Sequence, residues 1–467
     1  MRSIILASLL VSVFTASFAD NRPNVVMIVL DDMNGYGVLE SYPALQTPHL
    51  DRFRDQSLNF TSASCSSPVC GPSRASFMSG LAPHTTGAYY NRCQPMLTSE
   101  MLRQVETMPE CFKRNGYTTW GGGKIFHGPL EEGREAAMFD NEKVYHGGFG
   151  PFPEEQYRIG GSRFSGIQEW TGPDSDFPDI KNADAAIEFL KQTHEKPFFL
   201  FYGLWRPHSP YTAPARFFEG YEVEEMPIPE GIRVDDLDDV SQMGEALVDH
   251  LSSIRKSGLP FETGVKTFLR GYCANSTFAD WNIGRVIEAL DASPYADNTI
   301  VVVFSDNGFH CGEKDRWGKG TLWEAADYVS MLIRTPDTVP TTCKQTVGLL
   351  DLFPTLIEFC GLDAPEHKLD GESFVKLLEK PKSKWKRPSF TSYGPRYSSV
   401  RDERWRYLHY PDGTEELYDL DNDPWELENL AEDPKHKKVK KRLAKHIPQN
   451  WAPSLGGGFE VAQPAKK

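Results

Sequence analysis

Oxygen-bearing side chains follow two apolar runs of this sequence, at residues 25–30 and 299–304. Ligands of open α/β sheets bind beyond the carboxyl ends of the strands, so these side chains are expected to meet in one site. Three carboxylates and one amide form an all-oxygen ligand set, which suits Ca²⁺ or Mg²⁺ better than zinc. The sequence therefore predicts a hard-cation site formed by Asp31, Asp32, Asp306 and Asn307.

Basic side chains follow further strand-like runs and could surround an oxyanion held by that cation. Residues 198–202 lead into the segment 205–208, and residues 117–119 lead into a triple glycine at 121–123. Each feature alone has an ordinary explanation, because an aspartate pair often caps a helix and a lone histidine is often structural. Together they predict a cationic pocket formed by Arg74, Lys124, His127, His208 and Lys319.

The most specific motif is C-x-P-S-R at residues 70–74, which continues into a helix-like stretch to Gly80. A loop that enters a helix, with Ser73 as its cap, is the alternative explanation. In context the motif resembles the signature of sulfatases. In that family the cysteine is oxidised after translation to Cα-formylglycine, and its hydrated aldehyde is the nucleophile. The resemblance implies this modification for Cys70.

The resemblance to type I sulfatases extends over nearly the whole chain after the N-terminal segment, through residues 24–32, 47–51, 123–124, 305–308 and 416–420. Within that family the chain is most similar to iduronate-2-sulfatases. The matching segments are GKIFH at 123–127, RPHSP at 206–210, and GE at 312–313 leading to WGK at 317–319. Those enzymes typically have Asp-His where this chain has Asp306-Asn307, which is compatible with metal binding but weakens the inference about the substrate.

The resemblance implies an alkaline-phosphatase-like fold and hydrolysis of O-sulfate esters on a polysaccharide-derived carbohydrate. One Ca²⁺ per chain would be held by the four oxygen ligands and by residue 70. One hydroxyl of the hydrated formylglycine would attack sulfur and expel the sugar alcohol. Fixed positive charge would come from Arg74, Lys124 and Lys319. His208 would protonate the leaving oxygen, and His127 would deprotonate the second hydroxyl so that sulfate leaves.

Five residues beside these motifs could line the substrate rim, or could form a solvated charge cluster: Trp205, Arg206, Glu313, Lys314 and Arg316. An Arg or Lys there could pair with a uronate carboxylate. The expected partners are a sulfated oligo- or polysaccharide and a formylglycine-generating (sulfatase-maturing) enzyme.

Three alternative functions stay open. The first is a phosphatase or phosphodiesterase of the same superfamily, which would normally have a Ser or Thr nucleophile and metal-binding histidines. The second is a phosphonate hydrolase with a modified Cys, and the third is a non-catalytic glycan-binding relative.

The elements that must position these residues indicate an α/β fold. Short apolar runs alternate with helix-like patterns, which favours a large domain with a mainly parallel central sheet flanked by helices. Strands are predicted at 25–30, 198–202, 299–304 and 329–333, and an amphipathic helix at 266–290. Two stretches without periodicity, 129–178 and 215–264, are expected to be loops that shape a substrate cleft.

Three regions are predicted along the chain. Residues 1–19 are a signal peptide, residues 20–380 form the catalytic α/β domain, and residues 381–467 form a smaller C-terminal α+β subdomain with an antiparallel sheet. Strands of that sheet are predicted at 398–400, 405–410 and 417–418, with a basic helix around 435–445.

The N-terminus has the pattern of a secretory signal, with Arg2, an apolar stretch and the small-x-small pattern that ends at Ala19. An uncleaved membrane anchor is the alternative. We expect cleavage near Ala19, export to the periplasm or the exterior, and no stable membrane insertion, since no other stretch approaches the roughly 18 apolar residues of a spanning helix. Some of the eight cysteines are expected to pair in that oxidising compartment.

Composition excludes several other classes of protein. Of the 467 residues 39% are hydrophobic and 25% charged, which rules out a disordered chain. The 65 acidic and 50 basic residues give a formal charge of −15, so binding to nucleic acid or anionic membranes is not expected. A few basic residues in a cleft are still compatible with an anionic substrate.

Overall fold

The computed structural model describes residues 22–35, 42, 44–141, 147–159, 162–233 and 236–456. The predicted signal peptide at 1–19 lies outside the described residues. Within the described ranges, no helix combines the length and the apolar character needed to cross a membrane.

The strands, in chain order, are β1 (Asn24–Asp31), β2 (Leu58–Ser64), β3 (Thr118–Gly123), β4 (Ile167–Trp170), β5 (Phe198–Pro207), β6 (Tyr211–Pro214), β7 (Thr299–Ser305), β8 (His310–Cys311), β9 (Trp317–Gly318), β10 (Tyr328–Arg334), β11 (Thr341–Cys343), β12 (Val347–Gly348), β13 (Ser389–Ser392), β14 (Ser398–Arg401), β15 (Trp405–His409) and β16 (Glu415–Asp419). The α-helices span Pro48–Arg54, Cys70–Ser79, Pro83–Thr86, Pro95–Thr98, Glu100–Gln104, Met108–Arg114, Arg134–Met138, Pro178–Leu190, Gln242–Glu245, Ser252–Arg255, Phe261–Asp291, Glu324–Asp327, Leu352–Cys360, Val375–Glu379 and Lys437–Leu443.

A large central sheet has the strand order β11-β2-β10-β7-β1-β5-β3, and β12 also pairs with β2. Strands β7, β1, β5 and β3 are parallel, which confirms the predicted mainly parallel sheet. Strand β10 is antiparallel to both of its neighbours, β7 and β2. Its sequence could not reveal this, because a strand buried on both faces has the same apolar pattern in either direction.

Residues of β1 alternate between two cores on opposite faces of the sheet. Val25, Met27 and Val29 belong to a core that includes Phe77 of the helix Cys70–Ser79. The intervening residues Val26, Ile28 and Leu30 pack in a second core with the helices Pro178–Leu190 and Phe261–Asp291. The predicted helix at 266–290 is therefore confirmed, and it begins five residues earlier, after Pro260.

A four-stranded antiparallel sheet, β13-β14-β15-β16, confirms the predicted C-terminal subdomain architecture. Strand β13 was not predicted, because Ser389–Ser392 has one apolar residue among three hydroxyl residues. This sheet contacts the large domain at the end of β2, where Thr391 Oγ1 donates to the Cys65 carbonyl at 2.6 Å. Arg406 of β15 forms a buried ion pair with Asp327 at 2.6 Å. The domain boundary at 380/381 stays a prediction.

All eight cysteines lie in the described part of the chain, and none of them forms a disulfide. The expectation that some pair was therefore wrong. Each thiol is buried, and Cys111 and Cys343 donate to main-chain carbonyls of Asp363 (3.5 Å) and Pro381 (3.4 Å). Seven of the cysteines, all except Cys70, belong to apolar cores, where a free cysteine packs as a small apolar residue.

Candidate active site

The carboxyl ends of four neighbouring parallel strands form the edge at which the predicted residues meet. Strands β7, β1, β5 and β3 lie side by side and end near Ser305, Asp31, Pro207 and Gly123. The triple glycine belongs to β3 itself rather than to a loop after it. A Cβ on Gly123 would lie 1.8 Å from the Gly203 carbonyl oxygen, so glycine is needed where β3 approaches β5.

Four predicted ligands form one buried cluster at this edge. Asp31, Asp32, Cys70 and Asp306 place one ligand atom each within 4.8 Å of one another. Asp32 has a positive φ of 68°. Tyr272 holds it there by donating its hydroxyl to the Asp32 carbonyl at 2.7 Å.

The fifth predicted ligand, Asn307, lies against the same cluster. Its amide nitrogen donates to Asp32 Oδ1 at 2.8 Å, and its own Oδ1 is buried without a hydrogen-bond partner among the described residues. A buried oxygen left unpaired beside three carboxylates is the arrangement that a bound cation would satisfy. The donor set is therefore suited to a hard cation such as Ca²⁺.

The carboxylates of this cluster differ in their protonation equilibria. Burial alone would raise the pKa of Asp31, but the Lys124 ammonium beside it, with Lys319 and Arg74, holds that pKa well below its usual value. Burial raises the pKa of Asp32, although the Lys319 ammonium opposes this. Burial also raises the pKa of Asp306, although the positive charge of the Arg74 guanidinium opposes this. Crowded negative charge of this kind is what a divalent cation would stabilise.

Cys70 is the first residue of the helix Cys70–Ser79 and is fully buried. Its thiol donates to Asp31 Oδ1 at 3.1 Å and accepts from Lys319 Nζ at 2.7 Å. Burial and the Asp31 charge raise the pKa of the Cys70 thiol well above its usual value. The unmodified residue would thus be a poor nucleophile, since only the thiolate reacts readily.

The rest of the C-x-P-S-R motif links this helix to β7. Ser73 does not cap the helix, which follows Val69; its hydroxyl donates to the Asp306 carbonyl instead. The segment does enter a helix, but the assignment of Ser73 as its cap was wrong. Arg74 is buried, and its Nε donates to Asp306 Oδ2 at 2.7 Å while its Nη2 lies 4.0 Å from Asp31 Oδ1.

The two predicted lysines converge on the aspartate pair from different segments. Lys124 follows β3 and forms an ion pair with Asp31, whereas Lys319 follows β9 and forms one with Asp32. Lys124 Nζ also lies 5.6 Å from the ring centre of Phe149 and 5.4 Å from that of Trp205. The site therefore contains two ammonium groups, each paired with one aspartate of the cluster.

The two predicted histidines lie at the same site and are neutral near pH 7. His208 Nε2 lies 3.6 Å from Asp32 Oδ2, and its Nδ1 is hydrogen-bonded to the Ser209 carbonyl. Burial and the neighbouring Lys319 and Lys124 ammonium groups lower the pKa of His208 to about 3. The same causes, burial first, lower the pKa of His127 to about 3. A neutral imidazole is ready to accept a proton, and an incoming sulfate anion would raise these pKa values.

Three of the five predicted rim residues lie in the interior instead. Arg206, Glu313 and Lys314 are at most 2% exposed. Arg206 donates to the Phe149 carbonyl at 2.6 Å, Glu313 accepts from the Cys311 amide at 2.6 Å, and Lys314 pairs with Asp236 at 2.8 Å. Their polar groups stabilise the loops around the site, so these three residues do not form a solvent-facing rim.

The other two rim residues, Trp205 and Arg316, are partly exposed and lie next to Lys124 and Lys319. The ring of Trp205 faces Lys124, as described above. Arg316 Nη2 donates to the Lys319 carbonyl at 2.7 Å, which helps to hold the segment that bears the Lys319 ammonium.

Two residues of the site could not be identified from the sequence. Asp179, in the helix Pro178–Leu190, accepts the main-chain amides of Trp205 at 2.8 Å and Arg206 at 3.2 Å. Burial raises its pKa to about 6, although Arg206 opposes this. Phe149 packs on His208 with ring centres 4.6 Å apart. An aspartate in a first helical turn and a phenylalanine in an aperiodic stretch give no local signal of such contacts.

Comparison with known families agrees with this geometry. Residues 23–362 match the family model described as Sulfatase, and residues 312–452 match the model described as N-sulphoglucosamine sulphohydrolase, C-terminal. The chain belongs to the sulfatase family and is a sulfuric ester hydrolase.

Two relatives show the range of similarity. A sulfatase of Formosa agariphila is 34% identical over 92% of this chain and 87% of its own length. Human iduronate 2-sulfatase is 25% identical over 73% of this chain and 70% of its own length. The resemblance to iduronate 2-sulfatases seen in the sequence is thus found again among the relatives.

Solved structures share the fold. The phosphonate monoester hydrolase of Agrobacterium radiobacter superposes with a TM-score of 0.72 at 20% identity, over 91% of this chain and 94% of that one. A second structure, solved with its substrate D-glucosamine-2-N,6-O-disulfate, has a TM-score of 0.66 at 22% identity, over 91% and 96% of the two chains. At these identities the likeness establishes the alkaline-phosphatase-like fold.

Proposed function

We propose that this sulfatase is a Ca²⁺-dependent formylglycine enzyme that removes O-sulfate groups from a sulfated carbohydrate, in the manner of an iduronate 2-sulfatase. The observation that supports this most directly is the position of Cys70. Its Sγ lies 3.1 Å from Asp31 Oδ1 and 2.7 Å from Lys319 Nζ. Residue 70 is therefore next to both the candidate metal ligands and the candidate oxyanion-binding cations.

Oxidation of Cys70 by a maturation enzyme would replace an unreactive thiol with an aldehyde whose hydrate has two hydroxyls. One hydroxyl oxygen attacks sulfur, and the bond from sulfur to the sugar oxygen breaks. The second hydroxyl then loses its proton, the bond between the residue 70 carbon and the sulfated oxygen breaks, and the aldehyde re-forms. A serine or an unmodified cysteine has no second hydroxyl, so it would remain sulfated.

The basic side chains of the chain stabilise the charge of the transferred sulfate. Lys319 Nζ is already within hydrogen-bond distance of the residue 70 side-chain atom, and Lys124 and Arg74 border the same carboxylates. Fixed charges at these positions need no reorganisation as the transition state forms. Ca²⁺, when held by Asp31, Asp32, Asp306 and Asn307, would polarise the sulfate and lower the pKa of the nucleophile.

The two histidines are proposed to move protons in opposite directions. His208 has its Nδ1 beside the Ser209 carbonyl, an acceptor, so the hydrogen of the neutral ring is on Nδ1 and its Nε2 is free to take up a proton. Protonated there in the presence of the anionic substrate, His208 would donate to the leaving sugar oxygen. His127, neutral beside Lys124, would remove the proton of the second hydroxyl.

The proposed substrate class and compartment follow from the relatives and the N-terminal pattern. Iduronate 2-sulfatase and the neighbour bound to a disulfated glucosamine both bear names that refer to sulfated sugars. A sulfated oligo- or polysaccharide is therefore the proposed substrate. Export to the periplasm or exterior, after cleavage near Ala19, would bring the enzyme to such a polymer.

The test is co-expression with a formylglycine-generating enzyme, followed by the mass of the peptide that contains residue 70. The purified protein is then assayed on aryl sulfate, aryl phosphate, aryl phosphonate and sulfated saccharides. We expect formylglycine in the peptide and sulfate release from a saccharide. Full activity of an enzyme in which Cys70 is unmodified, or turnover confined to the phosphorus esters, would contradict the proposal.

The described candidate metal cluster contains no histidine, which argues against a phosphatase.

A further inference from the structure

A cavity of about 690 Å³ adjoins the active site, and the proposed mechanism does not use it. Aromatic and basic side chains line it together: Phe149, Phe152, Phe164, Trp170, Arg163 and Lys181. These residues come from the aperiodic stretch predicted to shape a cleft and from the helix that follows it.

The ring of Phe149 is the wall that the cavity and the active site share. Its centre lies 4.6 Å from that of His208 and 4.7 Å from that of Trp205. On the cavity side it lies 5.7 Å from the ring centre of Phe164. A sugar chain that presents one residue to His208 can therefore place its next residue on the other side of Phe149.

Buried contacts hold this wall in place. Arg206, whose Nη2 donates to the Phe149 carbonyl, is also bonded through its Nε to the Thr212 carbonyl at 3.2 Å. The main-chain amide of Arg206 donates in turn to the Asp179 carboxylate at 3.2 Å. The loop around Phe149 is thus tied to β5 and β6, so the position of the cavity relative to the catalytic groups is defined.

The two cationic side chains of the cavity are available to a ligand. Arg163 and Lys181 are exposed, and neither side chain forms an ion pair or a hydrogen bond with the described residues. The guanidinium carbon of Arg163 lies 4.2 Å from the ring centre of Phe152, which limits its movement. One carboxylate, Asp176, also lines the cavity and could accept a sugar hydroxyl. The described lining residues thus include two cations and one carboxylate, a net positive charge.

We propose that this cavity is a second subsite, which binds a carboxylate or sulfate group on the sugar adjacent to the one that loses sulfate. This rests on the proposed function, since it presumes a carbohydrate substrate. It makes an acidic oligosaccharide, rather than a sulfated monosaccharide, the preferred substrate. Arg163 and Lys181 are then specificity-determining residues that do not touch the reacting atoms.

The test uses three disaccharides that share one sulfated sugar and whose second sugar is neutral, carries a carboxylate or carries a sulfate. For the wild type we expect kcat/KM to be about tenfold higher for one or both charged forms than for the neutral form, chiefly through KM. The double variant Arg163→Ala/Lys181→Ala should lose that preference and retain its activity on the neutral form. The two charged substrates distinguish a carboxylate from a sulfate as the ligand.

A matched control is Lys191→Ala, which removes an exposed lysine at the end of the same helix, where its partner is Glu188. This variant should have the same kcat/KM as the wild type for each of the three disaccharides. Calorimetric binding of the same disaccharides to the Cys70→Ala protein gives a readout independent of turnover. If no sugar is hydrolysed but the charged disaccharides bind more tightly, and the double variant loses this preference, the subsite is supported and the carbohydrate sulfatase function is contradicted. If the double variant and the wild type have the same kcat/KM values and affinities, the subsite alone is contradicted.

Discussion

Lys319 Nζ lies 2.7 Å from Cys70 Sγ, although 249 positions separate the two residues in the chain. The same ammonium pairs with Asp32, and the Lys319 carbonyl accepts from Arg316. Burial would lower the pKa of Lys319, but Asp32 and the groups beside it hold that pKa well above its usual value. Lys319 therefore stays charged at any working pH and supplies a permanent cation at the proposed nucleophile.

Replacing Cys70 by alanine should abolish sulfate release while the protein stays folded. The side chain is small and its removal leaves the ion pairs of Asp31 and Asp32 with the two lysines in place. Sulfate release and circular dichroism on the same preparation measure both expectations. The control is Cys343→Ala, a buried cysteine at the edge of the sheet, which should keep full activity. Normal turnover by Cys70→Ala would rule out residue 70 as the nucleophile.

Removal of the metal should remove activity, and calcium should restore it. A chelator should abolish turnover because the oxygen ligands and the orphaned Asn307 Oδ1 are proposed to hold the cation. Asp306→Asn should weaken calcium binding while a hydrogen-bond acceptor for Arg74 remains. Calorimetric titration with calcium measures this directly, with Asp297→Asn, an exposed acid, as the control. Stoichiometric zinc in the native protein, with calcium unable to support turnover, would contradict the prediction.

Substitution of His208 should depend on the leaving group. A sugar alcohol leaves only with a proton, whereas an activated phenol leaves without one. General acid catalysis typically contributes about 10²–10⁴-fold. His208→Ala should therefore lose most of that factor on a sugar sulfate and far less on an activated aryl sulfate. Steady-state kinetics on both substrates test this. Equal losses on the two would show that His208 is not the acid.

Substitution of His127 should instead block release of sulfate from the enzyme. If His127 removes the proton of the second hydroxyl, His127→Ala should accumulate sulfate covalently bound at residue 70, whichever substrate is used. Intact-protein mass spectrometry after rapid quenching would show the added mass. The His208→Ala protein is the matched control and should show no such adduct. An unmodified mass for His127→Ala during turnover would mean that another group acts as the base.

His310 should link folding stability to pH. It is fully buried between the Glu313 carbonyl and the Thr321 hydroxyl, and burial lowers its pKa to about 3. Between pH 6.5 and 3 the unfolded chain binds a proton at His310 that the folded chain does not, so its contribution to stability falls as pH falls. From pH 7 to 5 the expected loss is about 2 kcal/mol.

Urea unfolding of the wild type and of His310→Gln at both pH values measures that loss as a difference between the two proteins. The free energy of unfolding of the wild type should exceed that of the variant by less at pH 5 than at pH 7. His250→Gln is the control, because His250 is exposed and its substitution should not change the pH dependence in this way. An advantage that is constant or grows at pH 5 would contradict the lowered pKa of His310.

The sequence by itself determined the strands that build the site and the residues at their ends. The apolar runs that became β1, β5, β7 and β10 are local patterns, and a strand buried on both faces has to be apolar throughout. Because parallel strands end at one edge, Asp31, Asp306 and His208 could be assigned to one site without knowing the strand order. The C-x-P-S-R motif placed Cys70 there through resemblance alone.

Only the tertiary structure decided the features that depend on partners from distant parts of the chain. Arg206, Glu313 and Lys314 appeared as candidate rim residues, but burial and pairing with groups such as Asp236 make them part of the interior. The eight cysteines form no disulfide, which depends on where the fold places each thiol. Phe149 separates the candidate active site from the adjoining cavity through contacts with His208 and Arg206. Local sequence encodes the periodicity of an element, whereas burial and side-chain pairing arise only when the folded chain brings distant residues together.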